Sequence, residues 1–375
     1  MPSGPLASIS VIEMAGIGPC PLAGQFLADM GATVTVIERK SGETRPHDVT
    51  NRSKRSVALN LKSPEAIDAM MKLVERADVL IEGFRPGVME RLGLGPEDCA
   101  ARNPRLVYGR MTGWGQDGPL SQTAGHDLNY LSLTGALWMM GAKDRPPTPP
   151  LNLVADYGGG TMFLIFGVLS ALIERETSGK GQTVDAAMID GVTALTSTFF
   201  GRRAAGLWAD ARESNLLDGG APFYRCYETA DGGYVSLAAL EPQFFAEFVK
   251  LSGAAIDPAE QYKVENWSDY HRLLTDLFKT KSRDDWAAVF EGSDACVAPV
   301  LSPAEAADHP HNTARAARAT VDGVVHPAPA PRLDRTAAGP IEAPHAAGAD
   351  TDAVLAELGY SGEEIAALRQ KGAAT

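Results

Sequence analysis

Short apolar runs alternate with amphipathic stretches through the first half of the chain. Residues 8–15 (SISVIEMA), 33–39 (TVTVIER), 56–62 (SVALNLK), 78–84 (DVLIEGF) and 106–111 (LVYGRM) are rich in Val, Ile and Leu and of strand length, and 183–187 (TVDAA) reads as another strand. Continuous apolar runs of this kind suit strands covered on both faces. Between them the spacing predicts helices over 21–30 and 63–76, the second opening on Ser63-Pro64-Glu65, a cap residue with Pro in the first turn. This β-α-β alternation predicts an α/β class, with a mostly parallel sheet and helices on both of its faces. A helix of about four turns is expected over 127–140. Residues 162–174, apolar all round, read as a buried helix, and 191–207 as a further one.

The texture changes after a polar, Gly-rich stretch, 212–222, which reads as a linker. Residues 224–229 and 233–238 flank Ala230-Asp231-Gly232, a hairpin signal. Helical patterns follow over 242–251, 268–279 and 283–290, the last with Ser282 as N-cap, and then a short strand over 296–301. A small α+β domain is thus expected over 223–308, beside a large domain over 1–211. The Pro- and Ala-rich segment 309–347 is expected to run extended as a return linker. Short helices over 351–358 and 361–371 lie in the segment 330–375 that completes the large domain. No repeats are visible.

Composition narrows the function. A chain of 375 residues exceeds one small core. The net charge of −13 argues against nucleic acid as the main partner. Met1-Pro2-Ser3-Gly4-Pro5 shows no basic segment followed by an apolar core, and no apolar run reaches the roughly 18 residues of a membrane span. Neither a leader nor a membrane partner is expected. Cys20, Cys99, Cys226 and Cys296 are far apart and form no CxxC pair, which suits reduced thiols and a cytoplasmic setting. Cys20 reads as small apolar filler or as a nucleophile. No metal is expected, because no His/Cys cluster or HExxH spacing exists.

Ligands of open parallel sheets bind beyond the carboxyl ends of the strands. Gly16-Ile17-Gly18-Pro19, Arg39 and Gly83-Phe84-Arg85 fall there. The first of these is not a dinucleotide fingerprint: the third glycine is missing, and prolines occupy the turn. Arg39, Lys40, Arg45, Arg52, Lys54, Arg55 and Lys62 crowd the second and third strands of an otherwise acidic chain, and Arg85 and Arg91 follow the fourth. They read as solvated surface charge or, taken together, as forks for a polyphosphate, with an apolar slot beside Leu59 and Leu61 for adenine. Among the seven histidines, His126 alone sits in an apolar, Gly-flanked setting. It is either structural or a base at a helix start, where the Asp127 amide can receive an oxyanion. Asp156 stands just before Gly158-Gly159-Gly160. It reads as an N-cap or as an acid/base group against which something packs. Glu241, before Pro242, reads equally as a cap or as a site residue.

At this point the residues match a family. Ile12-Glu13-Met14-Ala15 with Gly18-Pro19, Asp29-Met30-Gly31-Ala32 with Val36-Ile37-Glu38-Arg39, Asn51-Arg52-Ser53-Lys54-Arg55-Ser56 and the run from Ala77 to Gly87 carry the likeness, with Leu358-Gly359-Tyr360 near the end. The chain resembles the family III CoA-transferases (CaiB/BaiF type), and within them the branch that racemises 2-methylacyl-CoA thioesters. The resemblance implies an interlocked homodimer with a Rossmann-like large domain and a small α+β domain. It implies an acyl-CoA substrate, with CoA held by Arg39, Leu59, Asn60, Leu61, Lys62, Gly83, Phe84, Arg85, Arg91 and the segment Gly125 to Tyr130, including Asn129. CoA enters within the substrate, so no separate cofactor is implied. Transferases of the family use the aspartate matching Asp156 as a nucleophile that forms an acyl-enzyme anhydride. The racemases add the histidine of Gly125-His126-Asp127 and a carboxylate matching Glu241 that supports it. One departure concerns residues 196–203 (TSTFFGRR), where such racemases often place methionines. The expected reaction is 1,1-proton transfer through an enolate; the alternative is CoA transfer through Asp156.

Overall fold

The structure, a computed structural model, describes residues 3–43 and 45–375. Met1, Pro2 and Thr44 lie outside the described residues. The chain divides into two compact units: Met1–Thr134, Leu151–Leu195 and Ala316–Thr375 form the first, Gly135–Pro150 and Thr196–Arg315 the second.

The first unit is built on six parallel strands, β1 (Ser10–Met14), β2 (Thr33–Glu38), β3 (Arg55–Ala58), β4 (Val79–Glu82), β5 (Val107–Thr112) and β6 (Thr183–Ala187). Their order is β3-β2-β1-β4-β5-β6, and every adjacent pair runs parallel. The apolar runs become these strands because side chains on both faces are covered, as the fully buried Val11, Val79, Leu80 and Ile81 show. The helices Pro19–Asp29 and Pro64–Arg76 follow β1 and β3, each with proline in its first turn. Strand order reverses between β1 and β4, which places a ligand crevice beyond their carboxyl ends.

Several expectations need correction. The helix after His126 is Asp127–Leu133, two turns rather than four. Gly135 takes a left-handed φ of 79°, and only a short 3₁₀ turn, Leu137–Met139, follows. The helix containing Asp156 begins before that residue, as a π-helix, Leu153–Thr161, that runs on as Met162–Ser178. The Tyr157 amide reaches back to the Asn152 carbonyl at 3.3 Å, the wide spacing of a π turn. The glycines there serve backbone contact: a Cβ on Gly159 would lie 2.8 Å from the Val192 amide, and one on Gly191 would strike the Gly159 carbonyl. The long helix is buried on one face only, through Leu164, Val168 and Ala171, while Phe166 and Ile173 are 70% and 74% exposed. Spanning 26 residues, Leu153–Ser178 is long and apolar enough to cross a membrane, which its central apolar run alone did not lead one to expect. In this fold it lies against β5 and β6. The helix expected over 191–207 is two helices, Met188–Leu195 and Ser197–Ala204.

The second unit carries β7 (Tyr224–Glu228), β8 (Tyr234–Ala238) and β9 (Val297–Pro299) in an antiparallel sheet. Asp231 Oδ1 accepts from Thr229 Oγ1 and the Gly233 amide and so closes the β7–β8 turn. The helices Pro242–Ser252, Trp267–Phe278 and Arg283–Phe290 cover the sheet, and Ser282 caps the last by accepting from the Asp285 amide. The core is aromatic: Phe223, Phe245, Phe248, Phe278, Trp286 and Phe290 are buried together. Each such ring contributes about 1.5–3 kcal/mol by leaving water. The 309–347 segment is not simply extended. It forms a helix, Pro310–Ala314, and an antiparallel hairpin of β10 (Arg318–Val321) and β11 (Val324–Pro327), in which Val321 pairs with Val324 across an Asp322-Gly323 turn.

Candidate active site

A cavity of about 470 Å³ opens beyond the carboxyl ends of β1, β4 and β5. The residues after each strand reach it: Ile17 to Cys20 after β1, Gly83 to Pro86 after β4, and Thr112 to Trp114 at the end of β5. His126 and Asp156 both line it, brought from two different helices. Gly83, Phe84, Arg85, Gly125 and Tyr130 line it as well.

The Asp156 carboxyl is half-buried. Its Oδ2 accepts from Asn152 Nδ2 at 3.3 Å, so the side chain is aimed by a hydrogen bond and is not itself a cap. Gly18 faces it closely, since a Cβ there would lie 3.2 Å from Oδ2, and the turn has a φ of 72° that favours glycine. Burial raises the Asp156 pKa above the usual aspartate range. The Asn152 hydrogen bond opposes the rise, the Asp127 carboxylate adds to it, and His126 opposes it. Asp127 is buried, and its Oδ2 accepts the Ala155 and Asp156 amides at 3.1 and 2.8 Å.

His126 is exposed at the N-cap of Asp127–Leu133, and its amide donates to Asn129 Oδ1 at 3.1 Å. The Asp127 amide opens the helix, where main-chain donors have no partner inside it. Gly125 does allow a close approach, but by protein: a Cβ there would lie 2.7 Å from the Tyr130 ring and 3.1 Å from Trp114. Those two rings meet edge-on with centroids 4.8 Å apart, and the Tyr130 hydroxyl donates to the Gly125 carbonyl. Burial, with Asp156 nearby, raises the Tyr130 pKa.

The loop after β4 is held from below. Glu82 Oε2 accepts the Phe84 amide at 2.7 Å, and Oε1 accepts from Arg110 Nε at 3.2 Å. Arg39, Asn60, Leu61, Lys62 and Arg91 do not line this cavity, and neither do Asn129 and Leu59. Arg39 follows β2 and Leu59 to Lys62 follow β3, the same edge of the sheet as the cavity. Leu59 is core, bridged to Ala374, and the Asn60 amide donates to the Ala373 carbonyl at 2.9 Å. Glu241 is exposed at the N-cap of Pro242–Ser252 in the second unit, and its side chain accepts no capping bond.

The cluster of seven basic residues does not act as one set. Arg52 and Lys54 are buried against Asp29 and Glu13, with ion-pair contacts of 2.6 and 2.7 Å. Arg55 pairs with Glu357 and Arg45 with Glu43, which leaves Arg39, Lys40 and Lys62 as the exposed cations of the group without a carboxylate bridge among the described residues. Sequence reasoning also missed cavity residues, among them Asn152, Tyr157, Trp114 and Thr112. The rule that ligand-facing loops follow strand ends points to Thr112 and Trp114, whereas nothing in the pattern marks Asn152.

Comparison with known proteins agrees with this geometry. The model of CoA-transferase family III matches residues 6–351. Alpha-methylacyl-CoA racemase of Mus musculus is 43% identical over 369 residues, covering 97% of this chain and 96% of the mouse protein. The human protein of the same name is 41% identical over 365 residues, covering 96% and 95%. A CaiB/BaiF family protein from Brucella suis superposes with a TM-score of 0.81 at 26% identity, covering 95% of this chain and all of its own. A parallel sheet of this order, with its crevice at the strand reversal, and a family match over nearly the whole length establish that the chain belongs to CoA-transferase family III.

Proposed function

We propose that the protein interconverts the (R) and (S) forms of 2-methylacyl-CoA thioesters by 1,1-proton transfer. The observation that carries this reading is a histidine and a pKa-raised aspartate opening onto one cavity from separate helices. Inversion of a carbon needs an acid/base group on each side of it, and these two side chains supply the pair. The mouse and human relatives bear the name of this activity.

His126 and Asp156 share one mobile proton in this mechanism. Whichever is unprotonated removes the α-hydrogen, and the other delivers a proton to the opposite face. The enolate oxygen takes a hydrogen bond from the Asp127 amide; a donor of this type contributes about 3–4 kcal/mol in other enzymes. Glu241, on the second unit, is proposed as the carboxylate that supports His126. CoA is proposed to lie along the sheet edge, with Arg39, Arg85, Arg91 and Lys62 meeting its phosphates. Asn60 and Leu61, held up by Leu59 in the core beneath them, would take the adenine, and Gly83, Phe84, Gly125, Asn129 and Tyr130 the rest. No cofactor beyond the CoA of the substrate is required. The interlocked homodimer belongs to the same proposal; the exposed Leu133, Leu153, Met162, Phe166 and Ile173 of the first unit supply apolar surface for it.

The second reading is CoA transfer with Asp156 as nucleophile, and the family match favours it. His126 on the same cavity argues the other way, because transfer through an Asp156 anhydride has no need of a second acid/base group facing it. Incubation with one enantiomer in deuterium oxide separates the two readings. Racemisation incorporates deuterium at the α-carbon with no second acid present. Hydroxylamine trapping of an enzyme anhydride, with no α-exchange, would overturn the racemase reading.

A further inference from the structure

We propose that the Asp127 side chain is a positioning residue that sets the spacing between His126 and Asp156, a role distinct from that of its amide. The inference rests on the racemase reading above. Asp127 follows His126 directly, so its helix carries one acid/base group. Its Oδ2 accepts the amides of Ala155 and of Asp156 itself, so the same side chain holds the segment that carries the other. Those two amides lie in the first turn of a helix, where main-chain donors have no partner within it. Asn152, at the N-cap of that helix, makes no capping bond with its own side chain. Asp127 therefore caps the Asp156 helix from a different helix. A single buried carboxylate joins the two groups that must stand on opposite sides of one carbon.

The link matters because two-base inversion tolerates little change in spacing: a displacement of about 1 Å costs on the order of 100-fold in rate. Asp127 also acts through its charge, being one cause of the raised Asp156 pKa. Titratable groups on the elements packed against the Asp156 turn are Cys20 and Asp29 on Pro19–Asp29, His126, Asp127 and Tyr130 at Asp127–Leu133, Asp190 on Met188–Leu195, Asp185 on β6, and Glu174, Arg175 and Glu176 on Met162–Ser178. Of these, only Asp127 and His126 shift the Asp156 carboxyl.

Two variants separate geometry from charge. Asp127→Asn keeps an acceptor and removes the charge; Asp127→Ala removes both. In the full-length enzyme, Asp127→Ala is expected to lower kcat about 100-fold with KM changed little, and to raise the ratio of α-deuterium exchange to inversion. Asp127→Asn is expected to retain most of kcat and to move the acid limb of the kcat/KM profile to lower pH. Amide hydrogen exchange at Ala155 and Asp156 needs no turnover and should speed up about tenfold or more in Asp127→Ala. Unchanged amide protection, or an unchanged exchange-to-inversion ratio, in Asp127→Ala overturns the proposal. If Asp127→Ala does not fold, Asp127→Glu, which keeps the charge and displaces the acceptor, decides it by the same two readouts: both unchanged overturns the proposal. A wild-type enzyme that exchanges no α-hydrogen would instead sink the racemase reading, while the amide protection would still test the link.

Discussion

His126 and Asp156 reach one cavity from helices built in opposite ways. His126 is exposed at the start of a helix of 7 residues that ends before Gly135. Asp156 is half-buried within the first turns of a helix of 26 residues, wedged against Gly18 on one side and bonded to Asn152 on the other. One group is left open to its surroundings, while the fold has tuned the other. The contrast matters because burial raises the proton affinity of Asp156, whereas the His126 side chain stands exposed.

The largest expected effect comes from removing either group. His126→Ala and Asp156→Ala should each lower racemisation by about 10³-fold, within the range for loss of a general acid or base. Each variant should still exchange deuterium from the single enantiomer whose hydrogen faces the surviving base, and equal exchange from both enantiomers would erase the contrast. Next is a buried ion pair beneath the first strand of the sheet. Glu13 of β1 is buried with Lys54, and burial pushes its carboxyl up to about 7 despite that partner. Lys54→Met leaves the carboxyl alone and should destabilise the protein by about 3–5 kcal/mol, measured by denaturant unfolding. A carboxyl whose folded pKa is raised adds stability that is full below about 4.5 and is lost as pH rises through about 7. Without Lys54 the pKa rises further, so the loss should be greater at pH 8 than at pH 5.

A smaller effect is expected from Gly18→Ala, which places a Cβ 3.2 Å from Asp156 Oδ2 on a backbone with a φ of 72°. Strain of about 1–3 kcal/mol should appear as lost stability, with roughly a tenfold drop in kcat/KM. The smallest comes from Asn152→Ala. The Asn152 hydrogen bond lowers the Asp156 pKa, so its loss should move the acid limb of kcat/KM upward by less than about one pH unit, in keeping with one hydrogen bond of about 1 kcal/mol. A limb that moves downward would contradict this account of the carboxyl.

The parallel sheet was legible in the sequence because strands such as 78–84 are apolar on both faces, and no other element of that length suits them. His126 and Asp156 were legible through chemistry beside glycine. The π turn was not, because it depends on Gly159 meeting Gly191, two residues brought together only by the fold. The length of the His126 helix was overestimated because apolar periodicity runs through Gly135, where the backbone turns left-handed. The basic cluster misled for a related reason. Arg52 and Lys54 look like ligand-seeking charge until Asp29 and Glu13, distant in sequence, arrive beside them. The exposed face of the long helix escaped notice because an all-round apolar pattern does not say which side the protein itself covers.

The meeting of Gly159 with Gly191 has a consequence for reading mutational tolerance. In a saturation library scored by enzyme output, position 191 should tolerate as few replacements as position 126, although no substrate ever reaches it, because even a methyl group there forces two main chains apart. A map of intolerant positions would therefore mark a helix crossing and a proton-transfer group alike, and only the yield of folded protein would tell them apart.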